Sequence, residues 1–209
     1  MIPARESLER LSAGNQRFAA NTRNVGALAD PDRRAELAAG QEPHAIILGC
    51  SDSRVPAELV FDQGLGDLFV IRVAGNIVAP SQLGSVEFAA SRFGTRLVVV
   101  LGHTLCGAIL ATLDDLQSPS KPPSPGIRSI VERIRPSIES LVEAGLDPDT
   151  DEMIHRAVRA NVRVAANQLR HGSKILESLI CDEGLLVVGA EYDLESGVVE
   201  FFDGLPASA

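Results

Sequence analysis

Four short apolar runs, separated by segments with helical periodicity, constrain the fold of this chain more than any other feature. They are Ala45–Gly49, Leu68–Ile71, Leu97–Leu101 and Leu185–Tyr192. Continuous apolar runs of this length are typical of strands that are buried on both faces. Helices between such strands imply right-handed crossovers between parallel strands. The pattern therefore predicts an α/β fold with a mostly parallel sheet of four strands, flanked by helices.

A fifth strand and an N-terminal arm complete the predicted architecture. A turn at Asp193–Gly197 leads into Val198–Phe202, which predicts a hairpin and therefore an antiparallel edge strand. Arg5–Asn21 carries apolar side chains at helical spacing, so residues 1–40 are expected to form a helical arm that packs on another surface. We expect residues 41–209 to form the α/β core and the whole chain to be a single domain.

The net charge and the lengths of the apolar runs limit the kinds of partner that this chain is expected to bind. The formal net charge is −9 at pH 7, which gives no electrostatic reason to expect nucleic-acid binding. No apolar run approaches the length of about 20 residues that a membrane-spanning helix needs. The first residues lack the pattern of a signal peptide, so a cytoplasmic location is expected. In a reducing compartment, the three cysteines suit metal binding or catalysis better than disulfides.

Two of the predicted strands end in side chains that bind metals. The first strand is followed by Cys50 in the segment CSDSR, and the third by His103 and Cys106 in the segment HTLCG. Because sites of open α/β sheets lie at the carboxyl ends of the strands, these three side chains are expected to meet at one edge. Zinc prefers sulfur and nitrogen ligands, and three protein ligands leave a fourth position for water. The spacing therefore favours a catalytic zinc site.

Two other interpretations of these residues stay open on spacing alone. Structural zinc sites usually come from two paired knuckles of the CxxC type, whereas this chain has one close pair and one distant cysteine. The second alternative is nucleophilic catalysis, with Cys50 as the attacking group and His103 as its base. However, CSDSR lacks the longer glycine-bearing anion cradle of a cysteine phosphatase, and Asp52 would oppose an anionic substrate.

Asp52 and Arg54 add an acid–base pair beside the first of these ligands. Alternate residues of an extended turn point in the same direction, so both side chains can lie over the metal. Arg54 can then hold Asp52 as an ionised hydrogen-bond acceptor through a bidentate contact. Coordination to zinc brings the pKa of water to about 7. Asp52 is therefore predicted to accept a proton from that water.

The order of these motifs resembles that of the β-class carbonic anhydrases. The similar segments are CSDSRVPAE, GDLFVIRVAGN and GHTLCG, together with VVGAEYDLESG near the C-terminus. The resemblance implies zinc-dependent, reversible hydration of carbon dioxide to bicarbonate and a proton by attack of zinc-bound hydroxide. It implies that Cys50, His103 and Cys106 hold the zinc. It also implies a dyad of Asp52 and Arg54, in which Asp52 becomes a metal ligand only in a closed state.

The resemblance further assigns residues to a substrate pocket. By position, Gln41 matches a glutamine that hydrogen-bonds the substrate, and Gly107 matches a glycine whose backbone amide faces it. Phe69 and Val73 match apolar residues that line the pocket, and Phe88 stands where plant-type members often have tyrosine. Members of the family form dimers, often paired into tetramers, in which each pocket takes residues from both chains. A homo-oligomer is therefore expected.

Two alternative functions are compatible with the same motifs. Close relatives of this fold hydrolyse carbonyl sulfide or carbon disulfide with the same ligands, and nothing in the sequence separates that activity from hydration of carbon dioxide. A non-catalytic module that binds zinc or senses bicarbonate is the other alternative. Such a module would bind zinc but would show negligible turnover.

Overall fold

The structure, a computed structural model, describes residues 2–23, 31–117, 124–145, 147 and 150–206. Within them the helices are α1 (Ala4–Ala19), α2 (Pro31–Leu37), α3 (Ala57–Val60), α4 (Pro80–Arg92), α5 (Gly107–Gln117), α6 (Pro125–Glu143), α7 (Asp151–His171) and α8 (Lys174–Glu183). The strands are β1 (Ala45–Gly49), β2 (Leu68–Arg72), β3 (Leu97–His103), β4 (Leu186–Tyr192) and β5 (Val199–Asp203). None of the described helices is both long and apolar enough to cross a membrane.

The strands form one sheet in the order β2-β1-β3-β4-β5. The first four strands pair in parallel, and β5 pairs antiparallel with β4 at the edge. The predicted α/β class, with four parallel strands and an antiparallel edge strand, is therefore confirmed. From β1 the chain continues to β2 on one side and then to β3 on the other, so the winding of the sheet reverses between β1 and β3. Open α/β sheets place their sites at the carboxyl ends of such a strand pair.

Helices cover both faces of the sheet, which explains why the central strands are apolar throughout. Every residue of β1 and β3 is buried, and successive side chains point to opposite faces. Ile47 packs in a cluster with residues of α1 and α3. Its neighbours Ile46 and Leu48 pack in a second cluster with residues of α4, α7 and α8. A third cluster contains residues of α5, α6 and α7 together with Cys50 and Cys106.

The N-terminal helix α1 packs on the core of its own chain. Leu11 is fully buried in the first cluster. Asn15, also buried, donates from Nδ2 to the carbonyl oxygens of Val60 and Gly197, at 3.1 and 2.9 Å. Its Oδ1 accepts a hydrogen bond from the amide of Val199 at 2.8 Å. This single side chain therefore ties α1 to α3 and to the β4–β5 hairpin.

Gly14 marks the closest approach of α1 to the rest of the chain and supports a stability prediction. A Cβ atom at this position would lie 1.9 Å from the carbonyl oxygen of Phe61, so the Gly14→Ala substitution must displace backbone. We expect the free energy of unfolding to fall by about 2 to 3 kcal/mol, the usual cost of overpacking a dense core. Unfolding of the zinc-loaded protein in urea measures this change.

Gly84 offers a matched control, because it also lies inside a helix, α4, but has open space around its Cα. The Gly84→Ala protein should be equal in stability to the wild type or more stable by up to about 1 kcal/mol, since alanine is the better helix former. Equal unfolding midpoints for the two alanine variants would contradict the packing argument for Gly14.

Helix α6 differs from the sequence-based expectation at its start, and it is not divided at Pro136. The proline-rich segment 118–126 predicts a loop, and Pro136 predicts a kinked or divided helix. The structure instead begins the helix at Pro125, which needs no amide partner in a first turn, and Ser124 caps it by accepting from the amide of Ile127. The helix continues through Pro136 because its apolar side chains on both sides of the proline, including Ile134 and Ile138, are buried. Residues 118–123 of the predicted loop lie outside the described residues.

Candidate metal centre

Three side chains with sulfur and nitrogen donors converge at the carboxyl ends of β1 and β3. Cys50 directly follows β1, His103 is the last residue of β3, and Cys106 immediately precedes α5. All three are buried, and their donor atoms lie within 4.8 Å of one another. The structure thus brings together the residues that the spacing of the two motifs singles out.

The two sulfurs are spaced as one tetrahedral ion would require. Cys50 Sγ and Cys106 Sγ are 4.0 Å apart. Two thiolates on one zinc at about 2.3 Å each would be separated by about 3.8 Å. A hydrogen bond from Cys106 lowers the pKa of Cys50, and the same shared proton, together with burial, raises the pKa of Cys106. A divalent cation can replace that proton, because metal binding to thiols releases protons.

The imidazole of His103 is oriented for the third ligand position. Its Nδ1–H donates to the carbonyl oxygen of Thr104 at 2.8 Å, which leaves Nε2 as the atom with a free lone pair. That Nε2 is buried and has no hydrogen-bond partner. An unpartnered buried nitrogen costs free energy, but it is the arrangement that a metal-ligating histidine needs. The donor set therefore fits a zinc ion.

Asp52 lies beside these donors and is held by Arg54 through three hydrogen bonds. The Arg54 backbone amide and Nε each donate to Asp52 Oδ1 at 2.9 Å, and Nη2 donates to Oδ2 at 2.7 Å. Mainly through these bonds, Arg54 keeps the pKa of Asp52 well below its usual range. Asp52 Oδ2 is 3.9 Å from His103 Nε2. An ionised carboxylate therefore stands next to the donor set, with its oxygens turned toward the guanidinium.

Arg72 is a residue of the site that the sequence-based interpretation missed. Its Nε donates to the carbonyl oxygen of Cys50 at 3.0 Å, and its Nη2 donates to that of Asp52 at 2.6 Å. The register of the sheet pairs Arg72 with Gly49, which places the guanidinium directly beside the turn after β1. The only sequence signal for this role is a basic residue at the end of an otherwise apolar strand.

Two of the predicted pocket residues lie near the metal centre. The amide of Val73 donates to the carbonyl oxygen of Gly49 at 3.1 Å, and its side chain packs against the cluster that contains Cys50 and Cys106. Gly107 is the first residue of α5 and directly follows Cys106. Both residues are therefore positioned by the same two strand ends that carry the sulfur ligands.

The other predicted pocket residues lie elsewhere in the chain. Gln41 precedes β1 and lines a separate cavity of about 520 Å³ that also contains Phe93. Cys50 follows the opposite end of that strand, and five strand residues span roughly 16 Å. Phe69, near the start of β2, and Phe88, on α4, form an aromatic cluster with Phe93 at ring-centroid distances of 5.6 to 6.3 Å. Within a single chain, Gln41, Phe69 and Phe88 therefore do not lie next to the metal centre.

Comparisons with known proteins cover most of the chain. A family model described as Carbonic anhydrase matches residues 45–199. The chain is 41% identical over 187 residues to carbonic anhydrase 2 of Mycobacterium tuberculosis, which covers 90% of this chain and 87% of that protein. It is 43% identical over 190 residues to the carbonic anhydrase of Mycolicibacterium smegmatis, which covers 91% of this chain and 89% of that protein.

Solved structures agree with these sequence relatives. The β-carbonic anhydrase CafA of Aspergillus fumigatus has a TM-score of 0.74 at 29% sequence identity, and the match covers 93% of this chain and 89% of that one. A tetrameric β-carbonic anhydrase from Sordaria macrospora has the same fold, with a TM-score of 0.74 at 24% identity over 94% of this chain and 97% of that one. Sequence, fold and donor set agree, and the chain belongs to the β-class carbonic anhydrase family.

Proposed function

We propose that this protein catalyses the reversible hydration of carbon dioxide to bicarbonate and a proton, with zinc held by Cys50, His103 and Cys106. The observation that carries the proposal is the buried, unpartnered Nε2 of His103, which lies with two sulfurs in one compact donor set. When bound there, zinc would make hydroxide available from water near neutral pH. The burial of both sulfurs disfavours nucleophilic chemistry at Cys50, because reactive cysteines are usually accessible.

The dyad would orient the water that adds to carbon dioxide. Asp52 is ionised, and its Oδ2 lies 3.9 Å from His103 Nε2, so this oxygen can accept a hydrogen bond from that water. Arg54 fixes the carboxylate and keeps it unprotonated. Two thiolates donate more charge than histidines would and make zinc a weaker acid. An orienting carboxylate should therefore matter more here than in an all-histidine site.

The bound substrate would be a small linear molecule with little polarity of its own. Val73 offers an apolar wall beside the donor set, and the backbone amide of Gly107 stands at the start of α5, where positive charge of the helix dipole accumulates. That amide is suited to stabilise negative charge that develops on a substrate oxygen. The three hydrogen bonds that Asp52 receives from Arg54 support an arrangement in which Asp52 leaves the metal open rather than one in which it binds the metal.

Hydration of carbon dioxide, measured by stopped flow on zinc-loaded protein between about pH 6 and about pH 9, tests the proposal. Metal content and hydrolysis of carbonyl sulfide and carbon disulfide are measured on the same preparation. We expect rapid hydration of carbon dioxide with zinc bound. Hydrolysis of the sulfur compounds without hydration would assign the alternative activity to this site. Bound zinc with negligible turnover of all three gases would favour the sensing module.

A second copy of the chain would complete the pocket. Phe88 is 54% exposed, and its ring centroid lies 6.3 Å from that of Phe69, which belongs to β2, an edge strand of the sheet. Exposed aromatic clusters of this kind often mark a protein interface. We therefore infer that, in a homodimer or homotetramer, the surface of one chain around Gln41, Phe69 and Phe88 completes the pocket at the metal centre of its partner. The cytoplasmic location stays a prediction from the sequence.

Mixing two inactive variants tests whether the pocket is shared. The Gln41→Ala protein should lose substrate binding, and the Cys106→Ser protein should lose the metal, yet a mixed dimer would contain one complete site. Random pairing makes about half of the dimers mixed, so roughly a quarter of the wild-type activity should return after subunit exchange. Stopped-flow hydration before and after exchange measures this. No recovery, with mixed dimers shown to form, would place Gln41 outside the partner's pocket.

A further inference from the structure

A glycine turn after β2 delivers a backbone hydrogen bond to one of the sulfurs. Residues Ala74–Asn76 form a single 3-10 turn, here named the Gly75 turn, in which Gly75 has φ 70° and ψ 19°. The Gly75 amide donates to Cys50 Sγ at 3.4 Å. A Cβ atom on Gly75 would lie 2.7 Å from Ile134 Cδ1 and 3.1 Å from Ala108 Cβ. Both the left-handed conformation and the tight space therefore require glycine at this position.

The Gly75 turn is held by a hydrogen bond from one buried side-chain amide on another element. Asn161 lies on α7 and is 3% exposed, and its Nδ2 donates to the Gly75 carbonyl oxygen at 2.8 Å. Within the described residues, this is the one side-chain hydrogen bond made to a carbonyl of the turn. The contact joins a helix to the turn across 86 residues of sequence. Because glycine has wide conformational freedom, this external partner helps to fix the direction of the peptide groups of the turn.

We propose that Asn161 is a positioning residue for the metal centre, which acts on Cys50 through the Gly75 turn. By holding the Gly75 carbonyl, it fixes the turn whose amide points at Cys50 Sγ. An amide hydrogen bond to a thiolate withdraws negative charge from the sulfur, so it decreases the charge that the sulfur donates to a bound metal. Partners that hydrogen-bond metal ligands are known to tune both metal affinity and reactivity. The inference rests on the proposed zinc site.

The alternative is that Asn161 only helps α7 to pack. Asn15 provides the comparison, because it is another buried asparagine that donates to backbone carbonyls, those of Val60 and Gly197. It lies on α1, and its hydrogen-bond partners are neither metal ligands nor residues of the Gly75 turn. Loss of either side chain would leave buried carbonyl groups unpaired and would lower stability. Only loss of Asn161 should change the electronic state of the Cys50 sulfur.

The experiment compares Asn161→Leu with Asn15→Leu in the full chain, loaded with zinc or with cobalt(II). Two quantities are measured: the rate of zinc transfer to an excess of a coloured chelator, and the wavelength of the thiolate-to-cobalt charge-transfer band. For Asn161→Leu we expect zinc to transfer to the chelator about tenfold faster, because the Gly75 turn and Cys50 are no longer held in place for the metal. We also expect the band to move to longer wavelength, because a sulfur without its amide hydrogen bond is easier to oxidise. Asn15→Leu should leave both quantities at their wild-type values.

An unshifted band and a wild-type rate of zinc transfer in folded Asn161→Leu would overturn the inference. If that variant does not fold, Asn161→Ser takes its place, because a serine hydroxyl is too short to reach Gly75 but creates less strain than leucine. A folded Asn161→Ser protein with the wild-type band would overturn the inference equally. Failure of the proposed function would give a different result. The wild-type protein would bind zinc without hydrating carbon dioxide, while Asn161→Leu would still shift the band. That outcome would leave the role of Asn161 unchanged.

Discussion

Replacement of Cys106 with serine is expected to abolish zinc binding and, with it, at least about 99.9% of the hydration activity. Cys106 Sγ lies 4.0 Å from Cys50 Sγ and is buried at the start of α5, so the substitution puts a hydroxyl where the second sulfur ligand stands. A serine hydroxyl stays protonated near neutral pH and is a poor zinc ligand, which leaves only two of the three protein ligands that a catalytic site needs. Metal analysis of purified protein and stopped-flow hydration measure the two losses.

Cys181 provides the matched control for this substitution. It is the third free cysteine and is exposed on α8. Cys181→Ser should retain a full complement of zinc and wild-type activity. It therefore separates loss of a ligand from any general effect of removing a thiol. A Cys106→Ser protein that still contains about one zinc per chain would remove Cys106 from the ligand set and with it the proposed site.

The parts of the structure that could be predicted from the sequence are those for which the local apolar pattern and the sheet topology lead to the same arrangement. The apolar runs of β1 and β3 could be identified because both faces of each strand are buried. Once the strands were placed, the parallel arrangement itself predicted that Cys50, His103 and Cys106 would meet at one edge. No long-range information was needed, because each ligand lies within three residues of a strand end.

The supporting contacts could not be predicted, because they depend on register and on helix packing. Arg72 reaches the carbonyls of Cys50 and Asp52 only because β2 pairs with β1 in one particular register. Asn161 reaches Gly75 only because α7 packs against β3 and β4 in one particular position along the sheet. Nothing in the residue type distinguishes either side chain from arginines and asparagines that face solvent. The position of Gln41 illustrates the same limit, since its sequence position does not reveal which chain's pocket it serves.

Replacement of Asp52 with asparagine is expected to lower hydration activity by about 100-fold or more while zinc stays bound. Asparagine preserves the shape of the side chain, but it removes the negative charge that would accept the hydrogen bond of the reacting water, and groups of this kind contribute about 10²- to 10⁴-fold. Because Arg54 holds the pKa of Asp52 well below its usual range, the carboxylate is ionised at every pH near neutrality. The ratio of wild-type to variant activity should therefore be constant from about pH 6 to about pH 9, which stopped-flow profiles of both proteins measure.

Asp62 supplies the control for loss of a carboxylate held by arginine. It pairs at 2.5 Å with Nε of Arg17, a residue of α1, and takes no part in the site. Its φ of 49° is tolerated by asparagine, so Asp62→Asn should fold and retain full activity. If Asp52→Asn, with zinc bound, were as active as Asp62→Asn, the carboxylate would have no orienting role. A ratio that rises steeply with pH would instead show that Asp52 itself titrates in the working range, which the three hydrogen bonds from Arg54 argue against.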